Sequence, residues 1–201
     1  MRYPLVTCAL AALATAASAD TLSIMADSST SAEHTGSMFS GSLEYIFDAG
    51  NTGTLLVSLN NDTTADIGGF LTGFVFNIDS QDANASASLT FGTNINFLDT
   101  GEEIASPFGM FDAGAALGAN WEGGGEPSFG MSIGSSDMFE FMVTASDASL
   151  LSASSFVGDG SEFAVRFRGL NDGGSDKILT PAPGTGALVF CGLAYAGRRR
   201  R

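Results

Sequence analysis

Apolar and polar residues alternate with a period of two through most of the central chain, and clusters of Gly, Asn and Asp separate the alternating runs. A period of two puts successive side chains on opposite faces of an extended strand, so each run reads as a half-buried strand. Leu43, Tyr45 and Phe47 alternate with Ser42, Glu44 and Asp48, and Leu55, Val57 and Leu59 share one face. Phe70, Phe74, Phe76 and Ile78 are expected to share another, followed by Leu89 and Phe91. Phe139, Phe141 and Val143 face away from Glu140 and Thr144, and Phe163, Val165 and Phe167 close the series against Glu162, Arg166 and Arg168. Asp48-Ala49-Gly50-Asn51 and Asn171-Asp172-Gly173-Gly174 are residue types that tolerate the positive φ of tight turns. Helical periodicity is nearly absent, although Asp147 is placed to cap one short turn ending at Leu151. Residues 92–127 show little periodicity and much glycine, and are expected to form long loops with one short strand. The fold expected is all-β, an antiparallel β-sandwich of which the jelly roll is one form, plus a short C-terminal apolar helix.

Charge divides the 201 residues into three parts. All 22 acidic residues lie between Asp20 and Asp176, and the span 20–180 holds 3 of the 8 bases, a net charge of −19. The remaining bases are Arg2 and the block Arg198, Arg199, Arg200 and Arg201. An acidic body excludes a nucleic-acid binder, which needs a basic face. The sixteen Phe residues supply a core, which argues against disorder.

The N-terminal end has the order of a secretory signal: Arg2, an apolar run from Leu5 to Ala14, and the small-residue site Ala17-Ser18-Ala19. Cleavage after Ala19 leaves Asp20 first, so residues 1–19 are expected to be a signal peptide. The apolar run is too short to span a bilayer.

At the other end come Pro181-Ala182-Pro183, an apolar stretch from Thr185 to Gly197, and the four arginines. As a helix, residues 182–197 reach about 24 Å at ~1.5 Å per residue, against a hydrocarbon core of about 30 Å. The arginine block is expected to stay on the cytoplasmic side. This three-part ending resembles the PEP-CTERM sorting signal, with Ala182 where that family has Glu. The resemblance implies export, transient anchoring in the inner membrane, processing by an exosortase-type protease, and a place at the cell surface or in an exopolysaccharide matrix. Leu71-Thr72-Gly73-Phe74-Val75-Phe76-Asn77-Ile78 resembles a strand found upstream of such tails. Phe163-Ala164-Val165-Arg166-Phe167-Arg168-Gly169, followed by Gly174-Ser175-Asp176-Lys177, resembles the last strand and turn of those domains. No catalytic residue comes with the resemblance. On this reading 20–180 is the secreted domain and 181–201 the sorting signal.

The two cysteines agree with export without disulfides. Cys8 lies in the expected signal and Cys191 in the expected tail, which leaves no thiol between.

Several strings invite a chemical reading. Gly130-Met131-Ser132-Ile133-Gly134 matches the nucleophile-elbow pattern, but that chemistry needs a following helix and a histidine base downstream. The single histidine, His34, lies upstream, and with no second histidine and no cysteine in the body it cannot build a zinc site. Glu102, Glu103, Glu122 and Glu126 are the candidate carboxylates for a glycoside hydrolase. Trp121, the one tryptophan, is a candidate sugar-stacking face for a carbohydrate-binding module, or else a residue tucked over the core. Calcium takes carboxylate, amide and carbonyl oxygens, so Asp48, Asn51, Asn171, Asp172 and Asp176 are its candidate donors. None falls in the EF-hand spacing, and turns use the same residue types for conformational reasons. The sequence thus points to a non-enzymatic, exported surface or matrix protein, with the carbohydrate-binding module and the hydrolase as rivals.

Overall fold

The computed structural model describes residues 19–157 and 162–180. They form an antiparallel β-sandwich. One sheet holds β1 (Asp20–Ala26), β2 (Phe39–Ala49), β3 (Thr52–Asn61), β10 (Ser136–Thr144) and β5 (Ser86–Gly92), in that spatial order. The facing sheet runs β12 (Ser175–Leu179), β11 (Phe163–Leu170), β4 (Gly68–Phe76), β9 (Ala113–Leu117) and β6 (Phe97–Asp99). A hairpin of β7 (Glu103–Ala105) and β8 (Gly109–Phe111) forms a separate two-stranded sheet. Five strands per sheet differ from the eight-stranded jelly roll.

Phenylalanine fills the space between the sheets. Phe139 and Phe141 of β10 meet Phe74 of β4 with ring centroids 4.9 and 5.9 Å apart, and Phe76 meets Phe141 edge-on at 5.1 Å. Leu43, Leu55, Val57, Val165 and Phe167 complete a core with no exposed surface. Buried aromatic pairs of this geometry add about 0.5–1.5 kcal/mol each beyond the area they bury.

Two bulges correct the expected faces. Between β11 and β4, Arg166 pairs with Gly73 while Phe167 pairs with Leu71, which leaves Thr72 as the extra residue. The slip reverses the strand's phase. Leu71 therefore joins the core with Phe74, and Phe70 turns to the outer face opposite Arg168 instead of sharing the Phe74 face. The β5–β10 pair repeats the device. Glu140 pairs with Phe91 and Phe141 with Leu89, so Thr90 is the extra residue and Phe91 is left 50% exposed.

The segment 92–127 is more ordered than its composition suggests, with β6, β7, β8 and β9 inside it. Every residue of β9, Ala-Gly-Ala-Ala-Leu, is buried. A strand covered on both faces shows no alternation, and small residues are needed where Phe74 O would lie 2.3 Å from a side chain at Gly114. The cover on the outer face is a second apolar cluster of Val75, Ala105, Phe111, Trp121 and Ala164.

The turn expected after Asp147 is a 3-10 turn, Ala148–Leu150. Its carboxylate does not cap that turn; it accepts from Ser80 Oγ at 2.5 Å and from the Gln81 N–H at 2.8 Å. Among the described residues no helix is long and apolar enough to cross a membrane. The expected C-terminal helix, the signal residues 1–18 with Ala17, and the sorting residues Pro181, Ala182, Pro183 and Arg198 to Arg201 lie outside the described residues.

Candidate functional site

All three bases of the span 20–180 stand on one hairpin. Arg166 and Arg168 lie two residues apart on β11, which places both on the outer face of the sheet. Lys177 of β12 sits directly opposite Arg166, and Ser175 opposite Arg168. The inner-face residues of the same strands, Val165, Phe167, Asp176 and Ile178, are buried.

Both arginines hold the glycine-rich loop that crosses this face. Arg166 Nη1 donates to the Trp121 carbonyl and lies 3.4 Å from Glu122 Oε2. Arg168 donates to the Gly124 and Gly125 carbonyls at 3.2 and 3.4 Å. Gly123 has a positive φ of 80°, and a Cβ there would stand 2.6 Å from Arg168 Nη1, so the crossing requires glycine. Burial pushes the Arg166 pKa down, Glu122 opposes that shift, and neighbouring Arg168 adds to it. Arg166 Nε is buried without a hydrogen-bond partner. Beside these side chains opens a cleft of about 360 Å³, bordered by Pro127, Arg166, Arg168, Gly169, Gly174 and Ser175.

Trp121 is 1% exposed and its Nε1–H donates to the Ser106 carbonyl at 3.1 Å. It is a core residue of the outer cluster, as the reading of a residue tucked over the core expects, and presents no face on which a sugar ring can stack.

The serine string does not build a nucleophile elbow. Ser132 lies in a turn whose carbonyl accepts from the Ser135 N–H and hydroxyl, and strand β10 follows, not a helix. His34 adopts a φ of 55° and its Nδ1 lies 2.9 Å from the Ser28 carbonyl, so it is an exposed loop residue. Of the four glutamates, Glu122 pairs with Arg166, Glu103 lies on β7, and Glu102 and Glu126 are exposed.

The proposed calcium donors fall into separate places. Asp48 and Asn51 bracket the β2–β3 turn, where Asp48 accepts from Thr54 Oγ1 at 3.0 Å. Strand β3 then runs ten residues, roughly 33 Å, to Asn61, whose Nδ2 donates to Gly69 O. Gly69 lies two residues after Ile67, whose carbonyl accepts from the Asn171 backbone N–H at 2.9 Å. The two turns are therefore at opposite ends of the sandwich and cannot share an ion. Asn171 spends its side-chain amide on the Ala65 and Asp66 carbonyls, and Asp172 accepts from the Gly174 N–H at 2.7 Å.

Asp176 has no exposed surface. Its carboxylate accepts from Ser31 Oγ at 2.5 Å, from Thr35 Oγ1, and from the Lys177 N–H at 2.7 Å. Burial alone would raise its pKa, but these donors outweigh burial and hold it below the ordinary value. Among the described residues, no three His, Cys, Asp or Glu side chains gather as a metal site would require.

Sequence reasoning missed the roles of the arginines and of Asn61. Asn61 is fully buried and ties Gly69 and Met131 together through its amide nitrogen, while its oxygen accepts from the Thr63 N–H. The arginines were detectable, as two of the three bases in the span 20–180, spaced two apart on a strand. A second cleft, of about 510 Å³, opens where β1 ends and β2 begins and includes Met25, Asp27, Met38 and Asp62; no sequence candidate lines it. No protein-family model, no curated protein and no solved structure matches this chain.

Proposed function

We propose that the chain is an exported, non-enzymatic surface or matrix protein whose β-sandwich is delivered by a C-terminal sorting signal of the PEP-CTERM kind. One observation carries the reading: the sandwich occupies the interval between the two processing motifs. Strand β1 opens at Asp20, directly after Ala17-Ser18-Ala19. At the far end the Thr180 N–H and hydroxyl both donate to the Phe163 carbonyl, one residue before Pro181-Ala182-Pro183. Both ends can be removed without cutting a described strand. On this reading the exosortase-type protease is the processing partner and exopolysaccharide is the surrounding material.

The rivals have less support. A carbohydrate-binding module would need a contact other than Trp121. A hydrolase would need two carboxylates poised across a cleft, and none of the four candidate glutamates borders either cleft described above.

Fractionation of a host with an exosortase-type protease tests the proposal. The wild-type chain is expected in the surface or released fraction. Replacing Arg198 to Arg201 with glutamine, or Pro181 and Pro183 with alanine, is expected to retain it in the cell. An identical distribution for all three chains would contradict the sorting role.

A further inference from the structure

We propose that the cleft beside Arg166 and Arg168 binds the carboxylate groups of an acidic polysaccharide. The choice of a sugar polymer rests on the matrix reading above; the choice of an anion rests on the cleft itself.

The body carries −19, yet this face gathers its only three bases. Two cations directly opposite one another across a strand pair repel, so the arrangement needs anions nearby. The protein supplies two. Glu33 pairs with Lys177 at 2.5 Å, and Glu122 pairs with Arg166. Among the described residues no carboxylate pairs with Arg168, whose contacts are two neutral carbonyls.

The Glu122 pair is the weak one. It is long at 3.4 Å, the Glu122 side chain is 65% exposed, and the buried Nε of Arg166 is still without a partner. A carboxylate on an exposed loop, at the edge of hydrogen-bonding distance, occupies the position that an external carboxylate would take. Guanidinium groups favour carboxylates through charge-assisted, fork-shaped hydrogen bonding.

The cleft suits a sugar acid in size and surface. Its volume of about 360 Å³ lies within the usual range for small-ligand sites, roughly 300–1,000 Å³. Gly169 and Gly174 leave backbone open along its border, and Ser175 adds a hydroxyl. With Trp121 buried, recognition there works by charge and hydrogen bonding, without stacking. The −19 body repels a second copy of this chain and an acidic polymer alike at long range, so the self-association measurement below separates the two.

Binding is tested with purified full-length protein in which Arg198 to Arg201 are glutamine, so that the tail cannot hold the polymer. The probes are polygalacturonate, neutral dextran and polyaspartate at 50 mM salt. Polygalacturonate is expected to bind and to exceed both other probes. Arg168→Gln is expected to weaken it roughly tenfold while the strand-rich circular dichroism spectrum is kept, loss of the Gly124 and Gly125 contacts lowering only the melting temperature, and Arg168→Lys to restore part of the lost binding. No binding, or binding indifferent to Arg168→Gln, would overturn the site. Equal binding of polyaspartate would overturn the sugar assignment, and self-association lost on Arg168→Gln would assign the cleft to a second copy. None of these results bears on whether the chain is sorted, which the fractionation reads separately.

Discussion

Ser31 donates a hydrogen bond to Asp176 at 2.5 Å across 145 residues of sequence, joining the loop after the first strand to the last strand. The loop continues the contact along the backbone: the Ala32 N–H donates to Lys177 O, and the Leu179 N–H to Thr30 O. Strand β12 is the outermost of its sheet, and an open strand edge invites pairing with other chains. The buried Asp176 carboxylate fixes the loop that covers this edge.

Asp176→Ala leaves two hydroxyls without their acceptor and should cost about 2–4 kcal/mol at pH 7. The pH dependence has a definite sign. The folded pKa is lowered, so the stabilisation is present above the unfolded value near 3.8 and is lost as pH falls through the folded pKa. Urea unfolding of the wild type and Asp176→Asn should therefore differ most near neutrality and converge in acid. A gap that widens below pH 3.8 would contradict the assignment.

Trp121 gives an optical test of the outer cluster. Its emission should lie to the blue of free tryptophan, resist acrylamide quenching, and move to the red on unfolding. Ready quenching of the folded protein would return Trp121 to the surface and reopen the stacking role.

Tyr45 is buried and donates to the Ala148 carbonyl at 2.8 Å. Burial, reinforced by Asp48 and Asp147, pushes its pKa up to about 12. Stability tied to this group is complete below the unfolded value of 10 and falls as pH rises towards 12. The other tyrosines are Tyr3 and Tyr195, in the expected signal and tail. An absorbance titration of the exported protein should show no phenolate step near pH 10, whereas a chain keeping either end would show one.

Calcium and magnesium should raise the melting temperature equally at matched ionic strength. The candidate donors are split between two ends of the sandwich, and the Asp176 oxygens already accept three donors. What remains is screening of a −19 body over about 8–10 Å, so monovalent salt should also stabilise modestly. A calcium-selective rise abolished by Asp172→Asn would contradict this and restore the loop site.

The strands with one polar face were legible in sequence because alternation survives wherever one face meets water, as at Leu43, Tyr45, Phe139 and Phe141. It failed where that condition failed. Strand β9 is covered on both sides, and its alanines carry no periodic signal. Phe70 and Phe91 depart from the faces that alternation predicts, because a bulge leaves no mark in the pattern it interrupts. The candidate site was legible only as composition. Asp and Asn at turns suit either calcium or tight backbone geometry, and pairing across 145 residues decided what Asp176 does. That Arg166 and Arg168 hold the Trp121 loop followed from strand register and loop path, which one-dimensional spacing does not contain.

Intact mass of the exported protein tests the central claim most directly. A chain beginning at Asp20 and ending between Pro181 and Pro183 is the predicted species, and it contains no thiol because Cys8 and Cys191 both leave with the ends. A mature protein that still carries Arg198 to Arg201 would contradict tail processing and point to a retained anchor. One that still carries Met1 to Ala19 would contradict export by a cleaved signal.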